Sequence, residues 1–167
     1  MIDQEYLKSL LHYCPETGIF TRTRTSSRMV AGEIAGNPNG SGYLRISVAN
    51  KDYRAHRLAF IWMTGECPEY VDHINGNRSD NRWANLRAAT NAENNRNRKP
   101  SQGSSSRYLG VTWRRNEKKW AAQIRIEGKQ THLGYFTNER KAAQAYDKAA
   151  ARYHGEFANL NFGGPNQ

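Results

Sequence analysis

The 167-residue chain is expected to fold as an α+β protein in two small domains, and three observations predict this. Around Tyr70 a short apolar strand, a polar turn, a second short strand and a capped helical segment follow one another. From Tyr108 three strand-length segments precede one alanine-rich helical stretch. Between them runs Asn97-Arg98-Lys99-Pro100-Ser101-Gln102-Gly103-Ser104-Ser105-Ser106, whose composition is that of a linker. The expected boundaries are residues 1–98 and 107–163, joined by 99–106.

In the first domain, Tyr6, Leu7, Leu10 and Leu11 form a helical stripe within Ile2 to Tyr13, stopped by Pro15. Gly42 to Ala49 alternates around Leu44, Ile46 and Val48. Asn50-Lys51-Asp52 reads as a turn into a second strand from Tyr53, which predicts a hairpin. His56 to Met63 reads as a helix ended by Gly65. Tyr70-Val71-Asp72-His73 is a strand entering the Gly76-Asn77 turn, Asn85 to Ala89 a returning strand, and Thr90-Asn91-Ala92-Glu93 a capping box that starts a helix through about Arg98. In the second domain the strands fall near Tyr108–Arg115, Trp120–Ile126 and His132–Phe136. A helix from Asn138 to Tyr153 follows, with Thr137 as N-cap and Gly155 as stop.

Composition narrows the function classes. Twenty-five Lys and Arg against fifteen Asp and Glu leave a net charge of +10, which favours a polyanionic partner. Both halves share it, with fourteen basic against ten acidic residues up to residue 100 and eleven against five beyond. Mean hydropathy is low at −0.91, but four Trp, nine Tyr and five Phe argue for a folded chain. No apolar run is long enough to span a membrane, and Met1 to Leu11 lacks a signal core, so the expectation is an intracellular protein with no membrane partner. Cys14 and Cys67 stand far apart, outside any C-x-x-C pair, and read as reduced structural thiols.

The chemistry-bearing residues concentrate at the end of the Tyr70 strand. A lone Asp-His pair before a turn is ordinary polar punctuation, but the run V-D-H-I-N-G-N, then D-N-R, N-L-R and T…E-N-N over Val71 to Asn97 resembles the HNH endonuclease family, in its phage and intron-encoded homing branch. The resemblance implies a ββα-metal core at about residues 70–98. It implies catalytic roles for His73, as general base, and Asn85, which braces the loop and helps to orient His73. It also implies that Asp72 and Asn94 hold a metal. No histidine lies between His73 and His132, so Asn94 stands where the family name has its last histidine, with Asn91 and Asn95 as rival ligands. A carboxylate with an amide carbonyl is a hard oxygen donor set, which suits Mg²⁺ or Mn²⁺ better than zinc. A neutral imidazole near pH 7 to 8 can take the proton of an attacking water. His56 and Arg57 in A-H-R-L-A-F also recur in the family; His56 reads as structural, and Arg57 equally as structural or phosphate-facing. Arg22, Arg24 and Arg28 make a basic stretch that could lie on DNA phosphates.

The second domain's G-V, W-A-A-Q-I-R, L-G-Y-F, A-A-Q-A-Y-D-K-A-A and A-N-L-N-F, from Gly110 to Phe162, resemble the plant ethylene-response-factor DNA-binding domain. That likeness implies a three-stranded antiparallel sheet packed on one helix and inserted in the DNA major groove. Trp113, Arg114, Gln123, Arg125, Gln130, His132 and Tyr135 are then the DNA-facing residues, while Trp120, Ile124, Leu133, Phe136 and Leu160 belong to the core. Leu109 and Thr112 stand where the plant domains carry Arg, and His132 where they carry Trp, so their target sequence does not transfer. Together the readings predict a monomeric, site-specific homing-type DNA endonuclease that needs Mg²⁺ or Mn²⁺ and no small-molecule cofactor, with double-stranded DNA as partner. The alternatives are a non-catalytic DNA-binding regulator on an HNH scaffold and a binder of structured RNA.

Overall fold

A computed structural model describes residues 2–26, 29–96 and 103–163, and the chain divides into two compact units, residues 1–94 and 95–167. The fold is mixed α and β, with small antiparallel sheets and helices. Arg28 and the linker core 97–102 lie outside the described residues.

The first unit opens with α1 (Gln4–Leu10), capped by the Asp3 carboxylate on the Tyr6 N–H. The expected helix to Tyr13 stops early, because Leu11–Cys14 forms β1 and pairs with β2 (Ile19–Arg22). Leu11 and Tyr13 are buried and His12 is exposed, the alternation of a strand. Helix and strand periods both bury Leu7 and Leu11, so the stripe alone did not separate them. β2 also pairs with β3 (Ile34–Ala35), and β4 (Asn37–Pro38) with β5 (Leu44–Val48). The hairpin from β5 to β6 (Lys51–Arg54) turns at Ala49-Asn50, earlier than expected. Both residues have positive φ, 48° and 61°, as a two-residue turn matched to strand twist requires.

Helix α2 (Ala55–Thr64) ends where expected, at Gly65 with φ 82°, and the Gly65 N–H donates to the Ile61 carbonyl. It buries Leu58, Ala59, Phe60 and Ile61 against Leu7, Leu11, Tyr13, Phe20, Ile46 and Val48. Each fully buried side chain of this size contributes roughly 1.5–3 kcal/mol. β7 (Tyr70–His73) and β8 (Leu86–Ala89) form a two-stranded antiparallel sheet, whose Val71 and Leu86 join the same core. α3 (Asn91–Arg96) starts on the expected capping box: the Glu93 carboxylate accepts from the Thr90 N–H at 2.7 Å and the Thr90 hydroxyl from the Glu93 N–H at 3.3 Å.

In the second unit β9 (Val111–Arg114), β10 (Lys119–Ile126) and β11 (Lys129–Phe136) make one antiparallel sheet with β10 central. α4 (Glu139–His154) packs on it through Ala142, Ala143, Tyr146, Ala149 and Ala150. Its N-cap is Asn138, which accepts from the Lys141 N–H at 3.1 Å, one residue past the expected Thr137. The Asp147 carboxylate accepts from the Asn161 and Phe162 N–H groups at 2.8 and 2.9 Å, and Asn161 bonds both ways with the Leu109 backbone. The A-N-L-N-F tail thus ties helix, tail and first strand together. Gly110 has φ +69°, and a Cβ there would overlap the Tyr146 ring and the Gln123 carbonyl. Gly110→Ala is therefore expected to cost about 3 kcal/mol through overpacking and left-handed strain. Urea unfolding followed through the second unit's tryptophans checks this; an unchanged midpoint would show that the close approach is not obligatory.

Candidate active site

The strand β7 delivers Asp72 and His73 into the interior, 3% and 4% exposed. Register explains the first of them. Asp72 lies directly across from Arg87 in β8, and Arg87 Nε and Nη2 donate to Asp72 Oδ2 at 2.9 and 2.8 Å. A carboxylate this deep needs a counter-charge, and Arg87 supplies it.

His73 is held from the loop. Its Nε2 lies 3.2 Å from Asn81 Oδ1, while Asn81 Nδ2 donates to the Ser79 carbonyl at 3.1 Å, which leaves the amide oxygen facing the ring. In the tautomer that matches this arrangement, Nε2 donates to Asn81 Oδ1 and Nδ1 carries the lone pair. Burial lowers the His73 pKa below its ordinary value, so the ring is neutral at neutral pH. Asn81 is 1% exposed and is fixed from a distance: the Tyr13 hydroxyl donates to its carbonyl at 2.6 Å, and Gly18, with φ +73°, lies against the Asn81–Arg82 backbone so closely that a Cβ would overlap it. Asp80 is held down to about 2 by the hydrogen bonds of the Arg82 guanidinium, and it accepts from Asn75 Nδ2 at 2.7 Å.

Asn85 braces the loop. Its Oδ1 accepts from the Asn75 N–H at 2.9 Å, its Nδ2 donates to the Asp80 carbonyl at 2.7 Å, and its carbonyl accepts from the Ile74 N–H. The partner of His73 Nε2 is Asn81, and Asn85 holds the same loop through Asn75 and Asp80. Asn94 lies on α3 and is half-buried, whereas Asn91 and Asn95 are exposed.

His56 is also inside. Its ring meets the His73 ring edge to face at 4.9 Å, with the Tyr43 ring 5.2 Å away, and His56 Nδ1 is buried without a hydrogen-bond partner. Burial, with His73, Arg54 and Arg57 nearby, takes its pKa down to about 3. Arg57 donates to the Glu69 carbonyl at 3.0 Å, joining α2 to the segment before β7. In the unfolded chain His56 takes up a proton near 6.5, so between about pH 6.5 and 3 the unfolded state holds the extra proton. The stability that comes from burying the neutral ring is complete above about pH 6.5 and is lost as pH falls towards 3. His56→Gln is expected to flatten the decline of the urea midpoint over that window; a decline as steep as in the unmodified chain would remove His56 as its source.

In the second unit the register of β9 to β11 gathers Arg114, Gln123, Arg125, Gln130, His132 and Tyr135 on the face away from α4, with the His132 and Tyr135 rings 4.5 Å apart. Trp113 does not join them. It pairs across the strands with Trp120, ring centroids 5.0 Å apart, on the α4 side of the sheet, which corrects its expected DNA-facing position. Trp120, Leu133, Phe136 and Leu160 pack against the core, as expected for spaced apolar residues, and Ile124 is within it.

Comparison with known proteins decides the family. The family model described as HNH endonuclease matches residues 53–96. Protein 3.8 of Escherichia phage T7 is 32% identical over 109 residues, covering 64% of this chain and 89% of that protein. This chain belongs to the HNH endonucleases. An uncharacterised HNH endonuclease of Acanthamoeba polyphaga mimivirus is 33% identical over 109 residues, 64% of this chain and 56% of that protein. An AP2-like ethylene-responsive transcription factor of Arabidopsis thaliana is 40% identical over 67 residues, 40% of this chain; the chain spans only 14% of that factor's length. Within the HNH match, Asn81 and Arg87 bond directly to the Asp-His pair, and sequence reasoning missed both. Both were visible in D-N-R and N-L-R, but their roles follow from loop path and strand register. Among the described residues no helix is long and apolar enough to cross a membrane.

Proposed function

We propose that the chain is a metal-dependent, site-specific DNA endonuclease of the homing type. His73 acts as general base through Nδ1, Asn85 braces the loop, and the second unit's sheet carries the enzyme to its site. The observation that carries this reading is the buried Asp72-His73 pair at the end of β7, with His73 Nε2 held 3.2 Å from the Asn81 amide oxygen. A base held in one tautomer before substrate arrives loses little in reorganisation when it takes the proton of water.

The donor set fits a hard divalent cation. Among the described residues no group of three His, Cys, Asp or Glu is assembled for a metal, which speaks against a zinc-type site. Mg²⁺ is commonly held by one or two carboxylates with phosphate oxygens and water, and Asp72 would supply one such carboxylate, sharing it with Arg87, which donates to its Oδ2. Asp72 and Asn94 would hold Mg²⁺ or Mn²⁺, and the half-burial of Asn94 supports it over Asn91 and Asn95. When bound, such an ion supplies positive charge to the departing 3′ oxygen of the scissile phosphodiester. A single catalytic unit in a monomer cuts one strand. Arg114, Gln123, Arg125, Gln130, His132 and Tyr135 share one exposed or half-buried face, which supports their use in the major groove.

Strand-resolved mapping of cleavage on the gene's own genomic neighbourhood, with Mg²⁺ or Mn²⁺ and with chelator, tests this. The expected result is a metal-dependent nick at one position. Tight DNA binding with no scission under either metal would instead favour a non-catalytic DNA-binding regulator.

A further inference from the structure

Tyr43, just before β5, carries two arginines over its ring: the guanidinium carbons of Arg54 and Arg78 lie 4.6 and 4.9 Å from its centroid. Arg54 ends β6 and Arg78 belongs to the loop between β7 and β8, so two elements converge on one side chain. Arg78 Nη1 also donates to the Ser41 carbonyl at 3.0 Å, which fixes its reach. The Tyr43 ring in turn lies 6.0 Å from the His73 ring.

The charge here is unbalanced. The ion pairs among the described residues join Arg45 to Asp52, Arg82 to Asp80 and Arg87 to Asp72, and none includes Arg54 or Arg78. Both are exposed, and Arg45 stands directly across from Arg54 in the hairpin, a like-charge pairing that strands ordinarily avoid. Like charges gathered on one aromatic ring, with no ion pair to either among the described residues and one ring away from the proposed base, suit an anion brought by the substrate. A guanidinium held flat on a ring keeps its edge donors for phosphate oxygens.

We propose that Arg54 and Arg78, stacked on Tyr43, form a clamp for a DNA backbone phosphate neighbouring the scissile bond. The clamp positions the strand so that its cleavable phosphodiester comes to His73, and it rests on the nuclease reading above. Binding of the full chain to a mixed-sequence duplex long enough for both units, in chelator, isolates the clamp from catalysis. Arg54→Gln with Arg78→Gln is expected to make the plot of log affinity against log salt shallower by roughly 0.9, the change for one phosphate no longer neutralised, and the two lysine replacements restore the slope. Tyr43→Leu keeps both charges but frees them, and is expected to slow scission more than it changes the slope.

A double glutamine variant that melts like the unmodified chain yet keeps its slope would overturn the clamp. If the double variant fails to fold, the single variants decide, each removing about half of the change. The two readings fail differently: an unmodified chain that never cuts while the slopes still differ counts against the nuclease, and cutting with unchanged slopes counts against the clamp.

Discussion

With His73 replaced by alanine, the chain is expected to cut duplex DNA about 10²–10⁴-fold more slowly while binding it as tightly as before. The loss follows from geometry. His73 is buried at the strand end, its Nε2 lies 3.2 Å from Asn81 Oδ1, and burial lowers its pKa, which supports the proposed role of a neutral ring as base. Asn81→Ala removes the amide oxygen that faces His73 Nε2 and is expected to cost a smaller factor, about 10–100, again with binding preserved. Because Gly18 lies against the Asn81 backbone, Gly18→Ala should lower the rate in the same direction by displacing Asn81. Single-turnover cleavage with enzyme in excess separates these rates from affinity. A His73→Ala protein that cuts at the unmodified rate would remove His73 from the chemistry, and equal losses in Asn81→Ala and His73→Ala would make Asn81 more than a positioning residue.

Arg87→Ala is expected to destabilise the first unit by about 3–5 kcal/mol, because it leaves the Asp72 carboxylate buried without its counter-charge. Removing both partners should cost less than removing Arg87 alone, since no isolated charge is then left inside. Urea unfolding of the unmodified chain, the two single variants and the double variant measures this coupling; strictly additive losses would mean that the pair is not coupled. The same variant reports on the metal. If a divalent ion takes the Asp72 carboxylate, Mg²⁺ should raise the midpoint of Arg87→Ala more than that of the unmodified chain, because only the variant lacks a cation there.

The site was legible where chemistry resides in consecutive residues. Asp72-His73 and the Asn85 brace stood out in the sequence, and the capping box at Thr90 correctly marked the start of α3. Bonds between distant segments were not legible. Tyr13 reaches Asn81 across 68 positions, and nothing in Leu11-His12-Tyr13 announces this, because its apolar spacing fits helix and strand equally. Trp113 shows the same effect in the second unit. The family pattern placed it on DNA, but cross-strand pairing with Trp120 turned it to the α4 side, since side chains alternate and register alone decides which face a residue takes.

The sequence by itself determined the mixed α and β character, the family, and the Asp-His pair, since these rest on local residue type and spacing. Only the tertiary structure decided that Arg87 balances Asp72, that Asn81 meets the His73 ring, and that Arg54 and Arg78 meet on Tyr43. The reason is physical: burial makes an unpaired charge or an unbonded ring nitrogen costly, and the partner that relieves the cost is whichever group the chain's path brings within about 3 Å.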